Sequence, residues 1–218
     1  MKIDIWSDIR CPFCYIGKRN LEAALAQFEH KDQVEIVWRS YELDPDLKTD
    51  LNTSTIAYLA QRKGITNEAS VRMHAQVTQM AADSGLTYNL DIYKVSNSLD
   101  AHRLIQFSKT KGLGDNTEEA LFKAYFTEGK DISDLTVLLQ IGIEIGLDET
   151  ALDKVLQSTL FSSEVKADQT KANEIGVTGV PFFVFDNKYA ISGAQPPAAF
   201  LNALETCVAE GVAVNRKS

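Results

Sequence analysis

The sequence predicts an α/β fold in which both ends of the chain build one sheet-containing domain and an all-helical domain is inserted between them. Three observations carry this. The first forty residues read strand–helix–strand. The next hundred show helical periodicity and no convincing strand. The remainder returns to helix, strand, strand, helix. The predicted boundaries are 1–44 and 156–218 for the discontinuous domain and 45–155 for the insertion.

Residues 2–7 alternate Ile3 and Ile5 with Lys2 and Asp4, a short strand. A helix opens at Pro12, carries Leu21, Ala24, Leu25 and Phe28 at helical spacing, and is expected to end near His30-Lys31-Asp32. Val34–Arg39 is a second strand, so the opening reads as a parallel βαβ unit. Asp44-Pro45-Asp46 is a turn. Helices are then expected at 54–63, 67–84, 98–111, 115–127, 134–146 and 149–156. Gly64, Gly85, Gly112, Gly129 and Gly146 sit at their C-terminal stops, with Ser133 and Asp148 as N-caps. A further helix over 160–175 stops at Gly176. Phe182–Phe185 and Tyr189–Ser192 form a hairpin across Asp186-Asn187, and Pro196-Pro197 open a last helix running to about 210. The tail 212–218 is expected to fray.

The chain has 218 residues, 44% of them hydrophobic and 24% charged, which excludes disordered and collagen-like classes and suffices for a buried core. The net charge is −8, and the densest basic spots are the pairs Lys18-Arg19 and Arg62-Lys63, so no nucleic-acid footprint and no basic membrane-binding helix are present. The apolar opening is interrupted by charge and no window reaches the ~20 apolar residues of a membrane span, so a cytoplasmic location is expected.

Three cysteines do not make a disulfide framework. Two of them form Cys11-Pro12-Phe13-Cys14 between a strand and a helix. A helix start puts both sulfurs on one face, and its partial positive charge favours an anionic sulfur at Cys11. Cys11 then attacks a substrate disulfide and Cys14, one turn further in, resolves the mixed disulfide. Arg10 supports the thiolate and Asp8 opposes it. A zinc site would want two more Cys or His ligands, and Cys207, His30, His74 and His102 supply no paired spacing; no metal is expected. The second signal is Gly176-Val177-Thr178-Gly179-Val180-Pro181-Phe182, a proline opening an apolar strand. A trans proline on an edge strand and a cis proline in a tight turn both fit, and spacing alone favours trans. A cis bond would present Val180 backbone groups to an extended substrate.

Together these signals resemble the thioredoxin superfamily. Cys14 and Pro181 stand 167 residues apart with helices between, which resembles the DsbA family and, within it, the FrnE-like cytoplasmic thiol–disulfide oxidoreductases. The likeness runs through Asp8–Gly17, Asn97–Leu104, Leu121–Phe126, Gly129–Ile132, Gly179–Phe183 and Ser192–Gln195. It implies a thioredoxin-like fold, a dithiol at Cys11 and Cys14, a cis Pro181, and a substrate surface of Pro12, Phe13, Val180, Pro181 and His102. Phe13 stands where many relatives of that branch carry Trp. The implied partners are disulfide-containing proteins or small-molecule thiols, with no prosthetic group and with glutathione as an optional redox partner; a homodimer is left open. The same superfamily contains glutathione-dependent kappa-class transferases and hydroxychromene-carboxylate isomerases, which typically carry Ser where this chain has Cys11. Retention of both cysteines favours disulfide exchange over that alternative.

His30 and His74 read as surface residues. Cys207 lies near Leu204 and Val208 on the last helix and reads as buried and inert, with a regulatory disulfide as the alternative. Asp4 and Asp8 are candidates for proton transfer near Cys14, though the alternation places Asp4 toward solvent. Tyr88, Tyr93, Tyr125 and Phe126 read as core of the helical block, with an apolar binding surface as the alternative.

Overall fold

Strand β1 (Lys2–Ser7) is the hub of a four-stranded sheet ordered β2-β1-β3-β4. The structure is a computed structural model that describes residues 1–215, with side chains described to residue 210. β2 (Glu35–Ser40) pairs parallel with β1 from Lys2↔Glu35 to Ser7↔Ser40, which the crossover through α1 (Pro12–Leu25) requires. β3 (Phe182–Phe185) pairs antiparallel on the other side of β1, and β4 (Tyr189–Ser192) returns from it. The return turn carries Asp186 and Asn187 at φ 47° and 55°, a pair of left-handed residues that suits the twist of a hairpin.

Ile3, Ile5, Phe183 and Phe185 are fully buried on the sheet face covered by α1 and α9 (Pro197–Asn215), where Phe200 meets Phe183 edge-on at 4.7 Å. Each such side chain is worth about 2 kcal/mol of burial. Between β2 and β3 lie α2 (Thr55–Lys63), α3 (Asn67–Asp83), α4 (Leu99–Lys109), α5 (Gly114–Phe122), α6 (Leu135–Glu144), α7 (Glu149–Leu156) and α8 (Ser162–Glu174). One apolar cluster continues from the sheet into these helices through Tyr15, stacked on Phe122 at 4.9 Å, and Tyr88, stacked on Phe126 at 4.6 Å.

Several elements depart from the sequence reading. α1 ends at Leu25, because the chain turns there so that Phe28 packs back into the core. The single helix expected over 115–127 is α5 followed by a π-turn, Lys123–Thr127, whose wider winding buries Ala124, Tyr125 and Phe126 in succession. Asp134, not Ser133, caps α6, accepting from the Thr136 N–H at 2.8 Å, while the Ser133 hydroxyl donates to Asp131. α9 continues to Asn215, past the end expected near 210; 216–218 lie outside the described residues.

Asp4 is a correction. It is 5% exposed, on the sheet's second face, because α8 covers that face. There Arg39 donates to Asp4 at 2.7 Å and to Asp168 at 3.1 Å, and the Trp6 indole donates to the Asp168 carbonyl. This network is on the opposite face from α1.

Gly17 lets α1 approach β3. A Cβ there would meet Pro181 Cγ and Phe183 Cζ at 3.1 Å each. Gly17→Val is expected to lose about 1–3 kcal/mol by overpacking, read as a lowered urea midpoint; an unchanged midpoint would show that the contact is soft.

Candidate active site

Cys11 is the N-cap of α1, with Pro12 as the first helical residue. Proline fits there because its φ is preset and an N–H at that position has no intrahelical partner. The Cys11 N–H donates to the Asp8 carbonyl at 2.9 Å and the Cys14 N–H to the Cys11 carbonyl at 3.0 Å, which winds the loop directly into the helix. All three cysteines are free thiols. Both sulfurs are buried, Cys11 at 4% and Cys14 at 1% exposure, but Cys11 lies at the edge of a cavity that Cys14 does not line. Burial pushes the Cys14 thiol well up, and its hydrogen bond and charge interaction with Cys11 raise it further.

The chain end returns to this point. The Val180–Pro181 peptide is cis, Pro181 is buried, and Cys11 Sγ donates to the Val180 carbonyl at 3.3 Å. From the helical side, the Tyr88 hydroxyl donates to the Pro12 carbonyl at 2.6 Å. Phe13 is 41% exposed beside Cys11. Cys11, Cys14, Pro12, Phe13, Val180 and Pro181 are therefore brought together.

His102 is not at this surface. The substrate-surface position expected for it is corrected: it is 0% exposed and does not line the cavity, because it sits on α4 beneath the motif, its Nε2 3.5 Å from Asp8 Oδ1. Asp8, also fully buried, accepts the N–H groups of Arg10 at 3.1 Å and Leu43 at 2.8 Å. Burial opposes its ionisation, but His102, Arg10 and the Leu43 N–H together hold it below the usual carboxylate range. Burial likewise opposes protonation of His102, and Asp8 overcomes it, so His102 is raised.

Glu118 completes this buried group. It is 1% exposed, one of its oxygens has no hydrogen-bond partner, and burial pushes it up to about 8 against the pull of His102. The folded chain keeps this proton between the ordinary glutamate value, near 4.5, and about 8, where the unfolded chain has released it. Glu118 therefore makes stability fall as pH rises through that window. Glu118→Gln is expected to gain on the parent by about 4 kcal/mol between pH 4.5 and pH 8.5. Urea melts at both pH values check this; a pH-independent difference would show that Glu118 does not hold the proton.

The cavity of about 500 Å³ opens between the cysteine loop and helices α2 and α3. Arg10, Phe13 and Val180 face Tyr58, Arg62 and His74 across it. His74 is a second correction: it is 9% exposed, with Nδ1 donating to the Ser70 carbonyl and Nε2 then able to accept from the Tyr93 hydroxyl at 3.2 Å. Tyr93, pushed up to about 12 by burial, and Tyr125 line the cavity while packing in the core. His30 is partly exposed, edge-on to Phe28. Cys207 is buried, and burial raises its thiol. Tyr58, Arg62 and Lys63 were absent from the sequence-predicted site; Tyr58 and Arg62 share one helix face at i, i+4, but spacing does not say what that face meets. Among the described residues no group of three or more His, Cys, Asp or Glu side chains is placed to hold a metal, and no helix is long and apolar enough to cross a membrane.

A dithiol opening the first helix, a proline loop in contact with it and a four-stranded mixed sheet define a thioredoxin-like oxidoreductase. The chain belongs to the DSBA-like thioredoxin domain family, which matches residues 2–205, and is a DsbA-like disulfide oxidoreductase. It is similar to the probable DsbA oxidoreductase SCO1869 of Streptomyces coelicolor, at 35% identity over 96% of this chain and 91% of that one, with a TM-score of 0.90. The uncharacterized protein YwbO of Bacillus subtilis is 27% identical over 207 residues, 93% of this chain and 94% of that protein. The cytosolic disulfide reductase DsbM of Pseudomonas aeruginosa, solved with GSH, shares the fold at 18% identity, with a TM-score of 0.67 over 95% of this chain and 99% of that one.

Proposed function

We propose that the chain exchanges disulfides through Cys11 and Cys14, with the Val180–Pro181 loop and the Pro12-Phe13 surface holding the substrate. The observation that carries this is the asymmetry of the two sulfurs: Cys11 borders the cavity and reaches the Val180 carbonyl, while Cys14 does not line the cavity and its thiol is raised. The Cys11 thiolate attacks one sulfur of a substrate disulfide. The new Cys11–substrate bond forms as the other substrate half leaves as a thiolate. Cys14 loses its proton, attacks Cys11 and displaces the second half. The protein ends as a Cys11–Cys14 disulfide and the substrate as two thiols; the reverse sequence oxidises a substrate dithiol. The two sulfurs carry both electrons, so the cycle calls for no prosthetic group.

On this reading the natural setting is the cytoplasm, the direction is reduction or isomerisation, and glutathione is a fitting reductant, as is consistent with the DsbM likeness. Equilibration in glutathione buffers, followed by alkylation and mass counting, tests this. A Cys11–Cys14 disulfide with a potential near about −270 mV supports a reductant. A value of about −180 to −120 mV would make the enzyme an isomerase or oxidase. A lasting single glutathione adduct without an internal disulfide would overturn the dithiol cycle and favour the glutathione-dependent transferase or isomerase.

A further inference from the structure

The charge of the cavity runs against that of the chain. The whole sequence carries −8, yet Arg10, Arg62 and Lys63 line the cavity and no Asp or Glu does. The three cations are not equivalent. Arg62 is engaged, ion-paired with Asp44 and donating to the Leu43 carbonyl at 2.6 Å. Lys63 is exposed near the end of α2.

Arg10 directly precedes Cys11 and is partly buried. Among the described residues its side chain makes one hydrogen bond, from Nη2 to the Tyr58 hydroxyl at 2.9 Å, with its guanidinium 5.3 Å from the Tyr58 ring centre. Its Nε is buried without a partner, and no described carboxylate lies within ion-pair distance of it. Asp8, the acid that acts on it most, has its oxygens on the Arg10 and Leu43 N–H groups and beside His102. A guanidinium presents five donors in a planar fork that matches a carboxylate. Beyond the Tyr58 hydroxyl and the neighbouring Tyr125 side chain that fork has no partner here, against a wall that includes Tyr58, Tyr93, Tyr125, Met73, Val77 and His74.

We propose that this cavity is a subsite for disulfides one half of which is a small aromatic or apolar thiol bearing a carboxylate, and that Arg10 holds the carboxylate while Cys11 attacks the sulfur. The inference rests on Cys11 being the attacking thiol. The bonds are those of ordinary exchange: Cys11 bonds to one half, the other half leaves as a thiolate, and Cys14 then releases the first. A single turnover needs no further reductant. Arg10 acts here on selection among disulfides.

The test compares two aromatic disulfides in single turnover with the reduced, full-length protein. One is 5,5′-dithiobis(2-nitrobenzoate), which carries carboxylates; the other is 4,4′-dithiodipyridine, which carries none. Cys11→Ser supplies the background rate. The ratio of the two rate constants is expected to fall about tenfold in Arg10→Gln and to recover in part in Arg10→Lys. Using the ratio removes any effect of Arg10 on Cys11 reactivity in general. A second measurement uses the unaltered chain: millimolar 4-nitrobenzoate is expected to slow the dithiodipyridine reaction at least about threefold, and 4-nitrobenzamide to leave it unchanged. An unchanged ratio in Arg10→Gln, or equal effects of the acid and the amide, overturns the subsite alone. Reaction of Cys11→Ser at the parent rate overturns the reading of Cys11, and the subsite with it.

Discussion

Cys11→Ser is expected to abolish disulfide exchange, a fall of at least about a thousandfold in thiol-driven insulin reduction. The size follows from the geometry. Cys14 cannot take over, because it does not line the cavity and is held as a thiol by burial. Cys207 lies on α9, is itself buried, and is also raised by burial. A hydroxyl at position 11 could still meet the Val180 carbonyl, so the fold should survive with its melting curve nearly unchanged. Cys14→Ser has a different signature. Cys11 still attacks, no resolving sulfur follows, and the protein accumulates as a mixed disulfide visible as added mass on Cys11. Full turnover by Cys14→Ser with glutathione would instead place the chain with the glutathione-dependent enzymes.

Much of this was legible in the sequence, for local reasons. The switch from a period-two run at 2–7 to helical spacing after Pro12 sets β1, the cysteine loop and α1, because strand alternation and a proline in the first helical turn are decided within a few residues. The hairpin at Asp186-Asn187 was legible in the same way. What escaped depends on elements distant in sequence. Asp4 alternates with two core isoleucines, which correctly puts it on the opposite face; nothing nearby says that α8 covers that face. His74 is flanked by exposed neighbours on α3 and is buried where α3 packs on α2 and where its ring meets Tyr93. The cavity is written nowhere locally, since positions 10, 58, 74 and 180 meet only after the helices fold over the cysteine loop. Resemblance drew attention to His102 but not to its place, which is beneath the motif against Asp8.

Asp8→Asn, a conservative change at a fully buried position, is expected to lose about 3–5 kcal/mol, a loss typical of one buried charge left without its partner. Asp8 holds three things at once: the Arg10 N–H, the Leu43 N–H, and the charge of His102. An asparagine oxygen can keep one N–H, but its amide nitrogen would turn a donor toward the other, and it offers His102 no charge. The pH dependence gives this cost a signature that plain packing loss lacks. His102 is raised in the folded chain, so its pairing contributes fully below its ordinary value near 6.5 and fades as pH rises through the folded value. The Asp8 carboxylate is lowered, so its own contribution is already complete at pH 5. The gap between parent and Asp8→Asn should therefore be wider at pH 5 than at pH 9, with the exposed Asp46→Asn as a control showing no gap. Urea denaturation at the two pH values measures it. A constant gap would assign Asp8 a purely hydrogen-bonding role in shaping the loop. A gap that narrows with pH shows that an ion pair buried beneath Cys11 helps to fix the loop from which the dithiol reacts.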